Sequence, residues 1–149
     1  MRPQRTIPFI LLLAALSAVS GFMMSNMSWI GRIGINLMHK EYKFLKVWWQ
    51  GGLAVFAALI LLFIIQTVIQ KKAGFIVGKL LHLLCFAAAI GGLYFTFSDF
   101  SNDITHRLLR DVFHVGAYLF WVGWMLISVF FLAIRRAIVI NSGSKEPLA

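Results

Sequence analysis

The chain has 149 residues, 60% of them hydrophobic, a mean hydropathy of +0.85 and a formal net charge of +9. An ordinary soluble domain is closer to half apolar. The excess here lies in four blocks, each near the ~20 residues that cross a bilayer, which leaves no room for a separate soluble domain. The basic residues flank these blocks, so the charge points to span anchoring and anionic headgroups and away from nucleic acid.

The first block, residues 7–24, follows MRPQRT and reads IPFILLLAALSAVSGFMM. A basic start, an apolar run and Ala18-Val19-Ser20 also fit a secretory signal peptide. The apolar run continues through Phe22, Met23 and Met24, which favours an uncleaved helix.

Residues 28–46 follow, SWIGRIGINLMHKEYKFLK. At helical spacing Arg32, Asn36, His39, Lys40, Lys43 and Lys46 share one face, with Ile30, Ile33, Leu37 and Phe44 on or near the other. This predicts a basic amphipathic helix in the headgroup plane. Arg32, Lys40, Lys43 and Lys46 would contact lipid headgroups there. Trp29, Tyr42, Trp48 and Trp49 fit an interfacial aromatic belt.

The second span is expected over 47–69, closed by Lys71-Lys72, and the third over 75–97. The short KKAG connection makes these two helices antiparallel neighbours. The third begins GKLLHLLCFAAAIGG, with Lys79 and His82 in its first turns. Lys79 is close enough to the end to snorkel. His82 is deeper, and its options are a haem ligand, a proton acceptor or an interhelical hydrogen bond. The last is the preferred reading.

A haem b usually needs two axial ligands at one depth. His114 lies on the order of 15 Å from His82 along the axis, at a rise of ~1.5 Å per residue. Met125 falls nearer the depth of His82. His82, His114 and Met125 are therefore the cofactor-binding candidates.

The stretch LHLLCFAAAIGGL, with its His-Leu-Leu start, small residues and Gly-Gly, resembles spans of the copper-resistance protein D family and of membrane cytochromes b. The resemblance covers one helix of four and does not extend to a second matching histidine, so no ligand is carried over from it.

The fourth span is expected over 112–134, closed by Arg135-Arg136. Before it, Asp103, Arg107 and Asp111 follow at i, i+4 and i+8, a salt-bridge ladder on one face. The helix should therefore begin near Asp103. His106, Arg110 and His114 lie on the adjacent face. His39, His106, His114 and Asp111 could converge on a metal or a quinone headgroup, though no two of these histidines have the i, i+4 pairing of a helical metal site.

Each span carries small residues, which is how helices associate where lipid supplies no hydrophobic drive. Gly74, Gly78, Cys85 and Gly92 in the third span, and Gly116 and Gly123 in the fourth, are the packing candidates. The lone cysteine rules out an intrachain disulfide. The fold class is all-α: one polytopic membrane domain, 1–149, a four-transmembrane-helix bundle with one interfacial amphipathic helix. A small excess of basic residues places both termini in the cytoplasm, at a bacterial inner membrane.

Catalytic signatures such as His-Glu-x-x-His, Gly-x-Ser-x-Gly and a phosphate-binding glycine loop are missing from the sequence. The expected function is a non-enzymatic accessory or scaffold subunit of a membrane assembly, with other membrane subunits or further copies of itself as partners. The alternatives are a small redox protein holding haem b or quinone, and an oligomeric channel or transporter.

Overall fold

The computed structural model describes residues 3–26, 47–102 and 111–143. They form four α-helices: α1 (Pro3–Ser25), α2 (Trp48–Lys72), α3 (Phe75–Asn102) and α4 (Asp111–Gly143). Each is long and apolar enough to cross a membrane. The interfacial helix read at 28–46, with Arg32, His39, Lys40, Lys43 and Lys46, lies outside the described residues. So do Asp103, His106, Arg107 and Arg110, and with them the salt-bridge ladder and the start of the fourth helix expected there.

Local sequence accounts for the helix ends that can be read. Val47 precedes α2 in an extended conformation, and its carbonyl accepts from Gln50 and Gly51 in the first turn. Lys71 and Lys72 close α2 where cations suit the carbonyl end of a helix. Ala73 then turns extended while its N–H still reaches the Ile69 carbonyl at 2.9 Å. Pro8 lies inside α1, past the first turn, so the helix lacks one main-chain bond there. Two helices outlast the apolar runs that marked them. α3 continues to Asn102, past 97, and α4 continues to Gly143, past 134.

Helix α4 is the hub. It packs against α1, α2 and α3, while α1 also packs against α2. α2 and α3 touch only slightly. The two residues between them bring their ends together, but α3 then lies along α4. The antiparallel-neighbour reading of the hairpin therefore applies to its base and not to its length.

The core forms where α1, α2 and α4 meet, around Leu13, Leu59, Phe63, Ile127 and Phe131. An aromatic cluster fills one end of it. Phe9 stacks on Phe130 with centroids 4.1 Å apart, and Phe63 lies 5.2 Å from Phe131. The surface is the reverse of a soluble protein's. Leu11, Leu53, Leu61, Ile76, Leu80 and Leu84 are all exposed, while Ser17, Ser20, Gln66, His82 and Ser128 are buried.

Several glycines lie where neighbouring helices approach closely. A Cβ on Gly21 would overlap the Gly52 backbone and the Trp48 carbonyl, so α1 and α2 meet there main chain to main chain. A Cβ on Gly116 would come within 2.9 Å of the Ser20 carbonyl and 2.7 Å of Met24 Cγ. One on Gly123 would meet Leu59 at 2.8 Å. One on Gly92 would run into the Trp121 ring, whereas Gly74 and Gly91 face open space. Gly78 is buried and Cys85 half-buried.

Candidate functional site: a buried polar network across three helices

Polar side chains inside an apolar bundle need partners, since an unmet one costs about 1–3 kcal/mol. His82 of α3 is fully buried. Its Nδ1 lies 3.0 Å from Gln66 Oε1 and its Nε2 3.2 Å from Gln70 Oε1, both on α2. Gln66 is itself almost fully buried. Its Nε2 donates to Ser128 Oγ of α4 at 2.9 Å, and Ser128 donates to the Trp124 carbonyl at 3.2 Å. The ring of His82 stacks on Phe131 with centroids 5.2 Å apart and planes 8° from parallel. One histidine thus ties α3 to α2 by hydrogen bonds and to α4 by ring contact.

Helical spacing explains the convergence. Gln66 and Gln70 are one turn apart on α2 and project on the same face. Ser128 and Phe131 stand in the same relation on α4. The α2–α3 contact is slight elsewhere, so these bonds are a large part of what joins those two helices.

Two more buried hydroxyls are satisfied on α1. Ser17 donates to the Leu13 carbonyl at 2.7 Å in its own helix, and Ser20 donates across to the Gly116 carbonyl at 2.6 Å. On the far side of α4, Trp121 Nε1 donates to Thr96 Oγ1 of α3 at 3.0 Å. A groove between α1 and the start of α2 is lined by Ala14, Ala18, Trp48, Leu53 and Phe56, with Ser17 and its satisfied hydroxyl at the base.

The cofactor and metal candidates are spread through this frame. His114 is half-buried in the first turns of α4, edge-on to Phe113 at 6.3 Å. Met125 is half-buried one turn before Ser128. Ser128 and Phe131 are α4 side chains that join the His82 surroundings. An iron at His82 would have to displace Gln66 or Gln70. The Asp111 side chain, His39 and His106 lie outside the described residues. Among the described residues no three His, Cys, Asp or Glu side chains come together as a metal site would need.

Reading the sequence singled out His82 but missed Gln70, Ser128 and Phe131. The signal for Ser128 was available: a hydroxyl in the middle of an apolar run either bonds its own helix or marks a buried face. Gln70 was masked by the lysines that follow it.

Fold and site together define a class: a bundle of four apolar helices, apolar on the outside, with a few bonded polar side chains set in an apolar core. Among known proteins, the chain matches no family model, no curated protein and no solved structure.

Proposed function

We propose that the chain is an integral membrane protein with four spans, and that it acts as a non-enzymatic accessory or scaffold subunit of a membrane assembly. The observation that carries this reading is the apolar exterior. Large apolar side chains cover the outside of every helix, and the buried polar groups of the network bond to one another or to main-chain carbonyls. Water does not tolerate so much contiguous apolar surface, but lipid does. Inside lipid, hydrogen bonds between helices and close glycine contacts are what assemble a bundle.

The chemistry of the network favours fastening over turnover. Its members are amides, hydroxyls and one imidazole, stacked and bonded in place. The basic segment 28–46 would lie against anionic headgroups, with both termini cytoplasmic and the bacterial inner membrane as the setting. Partners are other membrane subunits or further copies of the chain.

The test is purification from native membranes in mild detergent, followed by reduced and oxidised absorption spectra and by ion flux in reconstituted vesicles. A colourless protein that carries no flux is expected. A b-type haem signal or a specific conductance would replace this reading with the redox or channel alternative.

A further inference from the structure

We infer that the hairpin end of the bundle binds anionic phospholipid, with Arg5, Lys71, Lys72 and Lys79 standing in one headgroup layer. The inference rests on the membrane-span reading and says where on the bundle the anionic leaflet falls.

Contacts between the helices set their relative heights. Packed neighbours run antiparallel, so a step up one is a step down the next. His82 of α3 bonds to Gln66 and Gln70 and therefore stands near Val68 of α2. Three residues earlier on α3, Lys79 is level with Lys71. His82 also stacks on Phe131, so α4 passes the height of Lys79 near Ile134. Phe9 lies 6.1 Å from Phe63 between centroids, which places Arg5 of α1 near Thr67, about one turn from Lys71. Arg5, Lys71, Lys72 and Lys79 are all exposed.

The second boundary falls where a bilayer requires it. Gly21 lies against Gly52, and Gly92 against the Trp121 ring. The same register then puts Gly51 of α2 level with Asp99 of α3 and His114 of α4. From Lys71 to Gly51 is about twenty residues, or ~30 Å along α2. That is the thickness of a hydrocarbon core. Exposed Trp48 and Trp49 stand just beyond this second plane, where indoles favour the interface.

The two boundaries differ in charge. Asp99 and Asp111, the acidic residues of the described helices, both belong to the far end. Among the described residues the hairpin end carries cations alone. Lys71 and Lys79 share one height on helices that touch only slightly, so their repulsion works against the α2–α3 joint. A phosphate at that height relieves it. The cations are also interleaved with exposed Phe75, Ile76 and Leu80. A free phosphate or a nucleic acid would leave those side chains in water. A phospholipid meets both kinds of group, its phosphate on the ammoniums and its acyl chains along the apolar flank, with the lysine stems reaching outward.

The test reconstitutes the full chain in bilayers with spin-labelled phosphatidylglycerol or phosphatidylcholine. Electron paramagnetic resonance reads the fraction of each label held at the protein. Phosphatidylglycerol is expected to be preferred several-fold, since each cation near the surface strengthens anionic binding roughly fivefold. The preference should shrink at high salt, which screens exposed charges. Lys71→Gln, Lys72→Gln and Lys79→Gln combined should lose most of it, and the three arginine replacements should keep it. Lys40→Gln, Lys43→Gln and Lys46→Gln combined should lose less. Equal binding of the two lipids, or a preference that survives the hairpin glutamines, would overturn the inference and leave the spans in place. A chain that enters neither bilayer would overturn the membrane reading and the inference with it. Should the triple glutamine variant fail to insert, Lys71→Gln and Lys79→Gln singly carry the same comparison.

Discussion

The imidazole of His82 lies flat on the ring of Phe131, 5.2 Å between centroids, and Phe131 in turn packs 5.2 Å from Phe63. The polar network and the aromatic core are thus one continuous structure. His82→Ala should remove the ring, open a void and leave Gln66 and Gln70 without their shared partner. The expected loss is about 2–4 kcal/mol, from the cavity and the lost hydrogen bonds together. Reversible unfolding in detergent would read it. Absorbance in the visible should not change.

Adjacent glycines on α3 should behave oppositely. A Cβ on Gly92 meets the Trp121 ring, and one on Gly91 meets nothing within 4 Å. Gly92→Ala should displace Trp121, strain its bond to Thr96, and cost about 1–3 kcal/mol as overpacking does. Gly91→Ala should be neutral or slightly stabilising, since alanine is the better helix former by up to ~1 kcal/mol. Paired thermal melts would separate the two, and equal melting would contradict the α3–α4 packing.

At Gly21 the main chain of α1 lies directly against that of α2. Gly21→Val should push these helices apart, because the obstruction is main chain and no rotamer change relieves it. Crosslinking between cysteines placed at Ala14 and Leu53, in a Cys85→Ser background, should fall sharply in this variant. Unchanged crosslinking would mean that the two helices do not meet at Gly21 and Gly52.

Ser20 donates across the bundle to the Gly116 carbonyl at 2.6 Å. Interhelical hydrogen bonds in membranes average about 0.6 kcal/mol and reach about 1–2. Ser20→Ala should cost an amount in that range, well below His82→Ala. A loss as large as that of His82→Ala would mean that Ser20 supports more than this one bond.

Four helices were legible from hydropathy alone, because an apolar run of bilayer length is most stable as a helix that satisfies its own backbone. Their ends were less so. The third span was read to end at 97, yet α3 continues through Ser98, Asp99, Ser101 and Asn102, because leaving hydrocarbon does not oblige a helix to stop. The KKAG connection fixed where α2 and α3 meet but not how they pack further along. His82 stood out as an ionisable group in an apolar run. Its partners depend on how α2 and α4 are rotated about their axes, and that is set by tertiary packing. The same limit applies to glycine. Gly92, Gly116 and Gly123 lie against neighbouring helices while Gly74 faces open space, and spacing within one helix cannot say which face a neighbour will cover.

The measurement that bears most directly on the proposed role is native mass spectrometry of the protein released from its own membrane in mild detergent. The expected result is the 16.8 kDa chain in a defined stoichiometric complex with different membrane polypeptides, with no added mass of a haem. A chain found only alone or only with copies of itself, or one carrying a haem, would contradict the accessory-subunit reading.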